Sequence, residues 1–429
     1  DHVLYGLSFK DLGDRIKAAK PDAVGISCIF SASFPAVKKI CGIVKSFDRN
    51  IITITGGAHP SFLPEKCLSD TPELDYIVIG EGEYSVRGLL DKLNLGEELS
   101  GLDGLAYREE SGIRVNAKKE FIGNLDGLPL PARDLVPMEK YIGINAPHGI
   151  TYKEKVNMSM ITSRGCPFRC VFCSSAGFWG RKYRMRSVKS VLDEIETLVK
   201  VYGAREIQFL DDNLTLDRKR AREIFKGMID RKLDIVWNTP NGVAIWTLDE
   251  EMLRLMKESG CYALTLAVES GDQDTLSRII KKPLELEHIR RVVRMVKVLG
   301  IQTHAFFVIG FPDETPEQIR RTFRFARELD LDSASFTIAQ PLPGSELDRM
   351  VKDRLREGFD YENIAYLLSS FDTEYFKGGE LEKMAAREFL KYNLNFYRHP
   401  VRFAVKFGRY ILGNPLYCLK FVIGLLKRI

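Results

Sequence analysis

The strongest constraint on the fold is a strand and helix unit that repeats six times between residues 156 and 345. Each unit joins a short apolar run to a longer stretch in which apolar residues recur at helical spacing. After Ser187, for example, apolar residues share one helical face as far as Gly203, and these two residues suit the helix caps. The pattern predicts an α/β fold with an open or partial (β/α)6 barrel, in which chemistry collects at the carboxyl ends of the strands. The predicted strands are 157–163, 206–211, 234–238, 262–268, 302–309 and 333–339.

The first 125 residues carry the same alternation on a smaller scale. Apolar runs at 22–27, 51–55 and 76–80 have the composition of buried strands, and a helix is predicted over 34–47. Apolar strands that alternate with helices are typical of a parallel, doubly wound sheet. We therefore expect a separate doubly wound domain over residues 1–125.

Two regions complete the chain. Residues 126–155 form a Pro-rich linker, since the segment 127–134 excludes regular helix and central strand. Residues 346–429 are predicted to be helical, aromatic and basic. Their last segment, 416–429, is too short and too interrupted to span a bilayer. It is either an interfacial helix that gives peripheral membrane contact or a helix packed on the barrel.

Charge and cysteine content exclude several classes of protein. The 63 Lys and Arg against 58 Asp and Glu leave a formal charge of only +5, with no concentrated basic stripe for nucleic acid. Eight cysteines in 429 residues are too sparse for a secreted disulfide framework. The N-terminus lacks the basic and then apolar order of a signal peptide. We therefore expect a cytoplasmic protein without a nucleic-acid partner.

Three cysteines, Cys166, Cys170 and Cys173, lie together on the loop after the first predicted barrel strand. Three thiolates on a short loop can each bind one iron of a cubane cluster and leave the fourth iron open. Gly165 allows the backbone to approach the sulfurs. A zinc site is the alternative, but zinc would need a fourth Cys or His at finger-like spacing, and the next cysteine is Cys261.

With its C-x3-C-x2-C spacing and Phe172 before the last cysteine, the segment 163–173 resembles the motif of the radical S-adenosylmethionine superfamily. The resemblance covers roughly residues 156–345. It implies a [4Fe–4S] cluster on the three cysteines, with the amine and carboxylate of S-adenosylmethionine on the open iron and Phe172 beside the cofactor. One electron from an external low-potential donor would then cleave S-adenosylmethionine to methionine and a 5′-deoxyadenosyl radical that abstracts hydrogen.

Other strand ends match the same family. Glu269 and Ser270 end the fourth strand, where the family binds the ammonium and a ribose hydroxyl of S-adenosylmethionine. Gly310 and Pro312 follow the fifth strand and resemble the segment that contacts adenine. The segment 340–345 closes the sixth strand, as in many members. Without this context, Glu-Ser-Gly would be an ordinary turn.

Carboxylates and amides end the second and third predicted strands. Asp211 and Asp212 are candidates for a catalytic role in orienting the substrate, and capping of the next helix is an equally good interpretation. Asn238 and Asn241 are similar candidates, and Asn238 is included among the residues expected to bind cofactor. All four positions fall where the barrel fold predicts chemistry.

Residues 1–90 resemble the cobalamin-binding domain that precedes the radical domain in one large subgroup. Ser27, in a Ser-x-Leu-like segment with Ile29 replacing Leu, would approach the nucleotide tail of cobalamin. Gly56 and Gly57, after the next strand, would admit that tail beside the backbone. The segment 80–83 would form part of the same rim. The alternative is a plain flavodoxin-like sheet with glycine turns.

The N-terminal region departs from that family in one respect. The Asp-x-His-x-x-Gly loop that supplies an imidazole to cobalt is not in the sequence, since His2 directly follows Asp1. Its place would lie before residue 1. The domain is therefore predicted to be N-terminally incomplete, unless cobalt has no protein imidazole, as in some members. His59 is interpreted as a loop residue and not as a cobalt ligand.

The resemblance implies a cobalamin-dependent radical methylase. One S-adenosylmethionine would methylate cobalt, a second would supply the radical, and the substrate radical would take the methyl group. An anaerobic oxidative cyclase of a tetrapyrrole ester is the second hypothesis, and a non-catalytic iron–sulfur or cobalamin-binding protein is the third. Electron carriers bind all four irons, which disfavours the third hypothesis. The substrate is not identified, although the aromatic C-terminal region and basic tail fit a lipid-like or tetrapyrrole small molecule.

Overall fold

The computed structural model describes residues 7–144 and 152–393, and it contains two main sheets. The N-terminal sheet is parallel over its first three strands, as predicted, and ends in an antiparallel hairpin. The hairpin makes the sheet mixed, because its two strands are separated by only two residues and cannot cross over. In spatial order the strands are β1 (Ala23–Ser27), β2 (Ile52–Gly56), β3 (Tyr76–Val78), β4 (Leu105–Glu109) and β5 (Gly112–Asn116).

Five helices accompany this sheet. The second spans the predicted range 34–47 and buries Phe34, Val37, Cys41 and Val44, which recur at helical spacing. The helices are α1 (Phe9–Ala19), α2 (Phe34–Phe47), α3 (Ala58–Phe62), α4 (Pro64–Ser69) and α5 (Glu83–Leu95).

The second sheet has six strands, all parallel to their neighbours and in simple chain order. A sheet of this kind with helices on its outer face is the predicted partial (β/α)6 barrel, which is thereby confirmed. Its strands are β6 (Asn157–Met160), β9 (Glu206–Phe209), β10 (Val236–Val243), β11 (Cys261–Glu269), β12 (Gln302–Ile309) and β13 (Ser333–Ile338). A small hairpin of β7 (Ser163–Arg164) and β8 (Arg184–Met185) flanks the cysteine loop.

Helices cover the outside of the barrel and enclose its main core. Trp237 is fully buried, with its ring stacked on Phe225 at 5.0 Å and edge-on to Phe209 at 5.3 Å. Both predicted caps of the first barrel helix, Ser187 and Gly203, are confirmed. The helices are α6 (Met138–Ile144), α7 (Ser175–Trp179), α8 (Val188–Tyr202), α9 (Arg218–Asp230), α10 (Glu250–Glu258), α11 (Leu286–Val298), α12 (Pro316–Leu329), α13 (Glu346–Met350) and α14 (Glu380–Asn393).

The linker and the C-terminal region contain little regular structure before α14. The linker has 3-10 turns at Leu125–Gly127 and Arg133–Leu135, as its prolines predict. Between α13 and α14 the chain is largely irregular, so the described part of the C-terminal region is less helical than predicted. The segment 416–429 lies outside the described residues. Within 7–144 and 152–393, no helix combines the length and apolar character needed to cross a membrane.

The third barrel strand is longer than predicted. Pro240 and Gly242 have the composition of a turn, yet β10 continues to Val243 through an irregular register with β11. A bulge accommodates these residues without ending the strand. Asn238 is therefore inside β10 and not at its carboxyl end, which corrects its predicted position.

The two domains are joined through a buried carboxylate, Glu81, on the loop after β3. Its oxygens accept hydrogen bonds from Arg184 at 2.7 and 2.8 Å, from Arg164 at 2.9 Å and from the backbone N–H of Ile122 at 2.7 Å. Arg184 is itself buried, at 4% exposure. Because Arg164 and Arg184 belong to the β7–β8 hairpin, this ion-pair cluster fixes the N-terminal domain to the base of the cysteine loop.

A second contact at the same junction is apolar. Phe62, at the end of α3, packs between two glycines of the radical domain. A Cβ at Gly344 would come within 2.2 Å of the Phe62 ring, and a Cβ at Gly177 within 2.8 Å. Gly177 lies in α7, directly after the cysteine loop. The glycines therefore allow the helix after β2 to approach the helix after the cysteines.

We expect Glu81→Gln to destabilise the domain junction by about 3 to 5 kcal/mol, because Arg184 would be left as a buried charge with a weakened partner. Urea unfolding of the purified chain measures this cost. Glu83→Gln is the matched control: its carboxylate is partly exposed and pairs with Arg164 alone. The control should cost no more than about 1 kcal/mol. Equal costs for the two variants would contradict the role given to Glu81.

Candidate active site

The cysteine loop lies at the carboxyl end of the barrel, after β6 and β7. Its backbone is held by Val171, whose N–H donates to Ile280 at 3.0 Å and whose carbonyl accepts from Leu347 at 2.8 Å. Gly165 has φ +87°, and a Cβ there would lie 2.3 Å from the Lys182 carbonyl. Only glycine fits this approach, so the loop cannot form its present path with another residue.

Two of the three cysteine sulfurs, those of Cys166 and Cys173, accept hydrogen bonds from neighbouring residues. The side-chain amide of Asn213 donates to the Cys166 Sγ at 3.2 Å, and the Phe168 backbone N–H also bonds to this sulfur. The Ser175 backbone N–H donates to the Cys173 Sγ at 3.4 Å. Donors aimed at sulfur are the environment that metal-bound thiolates require.

The protein around the loop raises the pKa values of all three cysteine thiols. Desolvation by the surrounding protein raises the pKa of the Cys166 thiol and raises the pKa of Cys170 to about 11 and that of Cys173 to about 12. None of these three cysteines is fully buried. The sulfurs are therefore open to a ligand but protonated without one, so metal binding must displace protons.

The arrangement fits a cluster better than a single ion. Over residues 7–144 and 152–393, no three His, Cys, Asp or Glu side chains converge closely enough to hold one metal ion. A zinc site needs such convergence, whereas a cubane separates its three thiolates. The geometry therefore disfavours the zinc alternative and suits a [4Fe–4S] cluster on Cys166, Cys170 and Cys173.

Glu269 lies at the end of β11 and is paired with a buried lysine. Its carboxylate accepts from Lys282 Nζ at 2.8 Å, and the same ammonium donates to the Ala267 carbonyl at 2.6 Å. The backbone of Glu269 is left-handed, with φ +68°, which costs about 1 to 3 kcal/mol for a residue other than glycine. The positive charge of Lys282 opposes the rise in pKa of Cys166 and Cys170, which places the pair beside the cysteine loop.

Ser270 is placed differently from Glu269. Its side chain is fully buried, and its hydroxyl shares a hydrogen bond with Thr322 at 2.9 Å and accepts from the Asp272 backbone N–H at 3.1 Å. These bonds organise the turn after β11. In this structure the Ser270 hydroxyl bonds within the turn, and its contact with a ribose stays a prediction.

The turn after β12 holds Gly310 and Pro312, both buried. Gly310 has φ +82°, and a Cβ there would lie 2.6 Å from Leu381 of α14. Glu314 accepts the Gly310 N–H at 2.7 Å, and burial raises the pKa of its carboxyl to about 8. Phe172 faces this turn, with its ring centroid 6.1 Å from that of Phe311. The structure thus brings three of the predicted cofactor-binding residues, Phe172, Gly310 and Pro312, into one region.

Asp211 and Asp212 have separate environments. Asp211 is buried and accepts from the Thr162 N–H and hydroxyl and from the Ser163 hydroxyl, so it bridges the ends of β9 and β6. Asp212 is exposed and accepts from the Ser175 hydroxyl. Neither caps α9, whose N-cap is Asp217. The capping interpretation is wrong for both residues, and their role in orienting the substrate stays a prediction.

Asn238 belongs to the opposite end of the barrel. Its amide donates to Glu206 at 3.0 Å and to the Tyr262 hydroxyl at 2.6 Å. Glu206 begins β9 and also accepts from the backbone N–H groups of Lys153 and Glu154. This network closes the floor of the barrel, away from the cysteines. Asn241, by contrast, donates to the Leu210 carbonyl near the mouth, at 2.8 Å.

The carboxyl edge of the N-terminal sheet brings together the residues predicted to bind cobalamin. Ser27 is paired in register with Gly56, and the Cys28 N–H donates to the Gly56 carbonyl at 2.7 Å. Gly57 has φ +114°, and a Cβ there would lie 2.2 Å from the Cys28 carbonyl. Beside Ser27, Ile29 and Phe30 are 63% and 58% exposed. A glycine-lined strand edge with an exposed apolar pair fits a large, partly apolar cofactor.

His59 does not join this edge. It lies in α3 and not in a loop, and its ring is buried, with Nδ1 2.9 Å from the Ser31 hydroxyl. Its centroid is 4.8 Å from that of Phe34, and burial lowers the pKa of the imidazole. The side chain is thus a neutral core histidine.

The C-terminal region contributes to the mouth of the barrel. Tyr366 is half exposed, and its carbonyl accepts from the Ile338 N–H at the end of β13. Burial raises the pKa of Tyr366, and the charge of the nearby Cys173 raises it further. Phe371 and Phe376 are buried in the core, whereas Tyr366 and Tyr375 are about half exposed.

Several residues of the site were not predicted from the sequence. Asn213 directly follows two candidate carboxylates, and its position at a strand end was the available signal. Lys282 lies in a loop between β11 and α11, where no pattern marks a lysine as buried. Arg164 and Arg184 also carry no local signal, because their partner Glu81 is far away in sequence.

Comparison with known proteins agrees with this geometry. The model of the Radical SAM superfamily matches residues 160–326, and that of the B12 binding domain matches residues 2–90. An uncharacterized methyltransferase of Pyrococcus horikoshii is 35% identical over 92% of this chain and 83% of its own. The cytidylyl-2-hydroxyethylphosphonate methyltransferase of Streptomyces wedmorensis is 37% identical over 85% of this chain and 72% of its own.

An anaerobic magnesium-protoporphyrin IX monomethyl ester cyclase of Rubrivivax gelatinosus is 30% identical over 98% of this chain and 74% of its own. Among solved structures, the radical S-adenosylmethionine methyltransferase TsrM of Kitasatospora setae has a TM-score of 0.71 at 20% identity, covering 84% of this chain and 72% of its own. That likeness supports the fold, and the sequence matches establish the family. The chain belongs to the radical SAM superfamily, in the group with a B12-binding domain, and is an enzyme that uses a [4Fe–4S] cluster, S-adenosylmethionine and cobalamin.

Proposed function

We propose that this enzyme transfers a methyl group to a carbon atom of a small-molecule substrate. The observation that carries the proposal is the direct packing of the two cofactor regions, since α3 begins right after Gly57 and contacts α7 beside the cysteine loop. A methyl donor at the first region and a radical generator at the second must act on one substrate. Two of the most similar relatives are named methyltransferases, which supports the same reaction.

The positions of the residues support the following assignment of roles. Cys166, Cys170 and Cys173 would hold the cluster. The Glu269 carboxylate would bind the ammonium of S-adenosylmethionine, which would either replace the Lys282 ammonium or bind beside it. Ser27, Gly56 and Gly57 would hold cobalamin at the edge of the N-terminal sheet. When bound, these cofactors supply a hydrogen-abstracting radical and a transferable methyl group. Asp212, exposed beside the cysteines, is the candidate for orienting the substrate.

The lumen of the barrel supports a substrate that carries polar groups. Along β12 and β13, the half-buried positions alternate with fully buried ones. The residues that face the lumen are therefore His304, Phe306, Val308, Ser335 and Thr337. The His304 ring lies within hydrogen-bond distance of the Ser333 and Ser335 hydroxyls. A closed barrel would be filled by apolar side chains, whereas this one offers hydrogen-bonding groups.

A separate cavity of about 890 Å³ lies between the linker and β6 and reaches Ser163 and Arg164 beside the cysteine loop. Its walls are largely apolar, with Leu128, Pro131 and Met160 among them. It would suit an apolar part of a larger substrate, in agreement with the lipid-like or tetrapyrrole molecules considered above. The cyclase similarity favours oxidative cyclisation of a tetrapyrrole ester as the second candidate reaction.

An external low-potential electron donor is part of the proposal. Within the described ranges, Cys28, Cys41, Cys67 and Cys261 are buried and free, and they do not form a second cluster site. Burial raises the pKa of these thiols and makes them unreactive. Free, buried cysteines are in keeping with the cytoplasmic location that we propose. We further propose that the domain boundaries lie at residues 125, 155 and 345. We also propose that the segment 416–429 makes any contact of the enzyme with a membrane.

Product analysis tests the reaction. The chain is loaded anaerobically with iron, sulfide and cobalamin, and then receives S-adenosylmethionine and a strong reductant. We expect 5′-deoxyadenosine and S-adenosylhomocysteine by mass spectrometry, because both uses of S-adenosylmethionine are needed for methyl transfer. Both should disappear in the Cys166/Cys170/Cys173→Ala variant.

The pattern of products separates the candidate reactions. Deoxyadenosine without S-adenosylhomocysteine would reject methyl transfer and favour the cyclase. Neither product from a chain with a full cluster would reject the proposed function.

Glu269→Gln tests the assignment of the S-adenosylmethionine site. Loss of the carboxylate charge should weaken binding of S-adenosylmethionine at least about tenfold, as expected for a charge-assisted hydrogen bond. Calorimetry on the cluster-loaded chain measures the affinity. Glu287→Gln, which changes an exposed surface carboxylate, should leave the affinity unchanged. Wild-type affinity in Glu269→Gln would show that this residue does not bind the ammonium.

A further inference from the structure

The side chain of Asn213 is the polar group that most directly contacts a cysteine of the cluster site. Its Nδ2 lies 3.2 Å from the Cys166 Sγ, and the residue is 7% exposed. A thiolate can only accept a hydrogen bond, so the amide donates and the sulfur accepts. Burial of the amide strengthens such a bond, because water does not compete for the donor.

The position of this amide is fixed before any cofactor binds. The Asn213 carbonyl accepts from the Tyr183 hydroxyl at 3.0 Å, on the segment that returns from the cysteine loop to β8. Two residues earlier, Asp211 binds Thr162 and Ser163 at the ends of β6 and β7. The backbone on both sides of the amide is therefore held by the strands that carry the cysteine loop.

We propose that Asn213 is a positioning residue that raises the reduction potential of the cluster through its hydrogen bond to Cys166. The inference rests on the proposed function, since it assumes that the three cysteines bind the cluster. Reduction adds negative charge that is shared by the sulfurs. A donor beside one sulfur stabilises the reduced form more than the oxidised form and so raises the potential.

The consequence concerns the electron donor. At a fixed donor potential, a cluster with a higher midpoint is reduced in a larger fraction of molecules. Loss of one such bond should lower the ratio of reduced to oxidised cluster about tenfold, which corresponds to about 59 mV for one electron. Asn213 thus sets how readily the external donor can start the reaction.

The test is an anaerobic potentiometric titration of the cluster, followed by electron paramagnetic resonance of the reduced form. Asn213→Leu keeps the approximate size of the side chain and removes the donor, and its midpoint should fall by the amount given above. Asn213→Asp keeps the shape and adds a negative charge beside the sulfur, so its midpoint should fall further. Asn116→Leu is the control, because the Asn116 amide donates to the backbone carbonyls of Leu99 and Leu102 in the N-terminal domain and not to the cysteine loop.

Each outcome decides between distinct claims. A wild-type midpoint in a fully loaded Asn213→Leu or Asn213→Asp variant overturns the inference. If both variants are folded but hold no cluster while the wild type does, Asn213 serves assembly and not the potential, which also overturns it. A wild-type chain that holds no cluster rejects the proposed function itself. An equal fall in the Asn116→Leu control would show that the shift is unspecific and would overturn the inference.

Discussion

The architecture depends on a single buried carboxylate. Glu81 extends from the N-terminal sheet into the radical domain and is met there by two arginines and a backbone amide. Both arginines belong to the hairpin that encloses the cysteine loop, and Arg164 is two residues before Cys166. A charge buried in this way requires all of its partners, so the relative position of the two domains is determined by electrostatics as well as by packing. The apolar contact of Phe62 supports the same arrangement.

The polar groups at the two ends of the barrel differ in their surroundings. Its floor is closed by Glu206, Asn238 and Tyr262, while its mouth carries the cysteines, Glu269 and Asp212. These groups at the floor bond to one another, and Glu206 also accepts from the backbone. Those at the mouth include sulfurs that are open to a ligand and a strained glutamate backbone. The floor of the barrel therefore contributes to stability and the mouth carries the chemistry, as is usual for barrels of this type.

The sequence predicts the parts of this molecule that depend on local pattern. The six strands, the caps at Ser187 and Gly203, and the cysteine loop follow from periodicity and spacing, and the family and its cofactors are confirmed. Contacts between distant segments could not be predicted in this way, as the pairs of Glu81 with Arg184 and of Glu269 with Lys282 illustrate. The predicted end of β10 came too early in the chain. Pro240 and Gly242 are residues that usually end a strand, but here a bulge accommodates them and the strand continues to Val243. Ser270 and Asp211 lie at strand ends but point into the protein, which position alone does not reveal.

Glu81 and Phe62 join the N-terminal domain to the region of the cysteine loop, and we propose that cobalamin at Ser27, Gly56 and Gly57 lies close to the cluster across this junction. Relaxation of the cob(II)alamin electron paramagnetic resonance signal tests this claim most directly, because a nearby reduced cluster is a paramagnet that speeds it. In the chain loaded with both cofactors, the signal should relax faster when the cluster is reduced, and this effect should be absent in the variant without the three cysteines. The same relaxation rate with and without the reduced cluster would contradict the account.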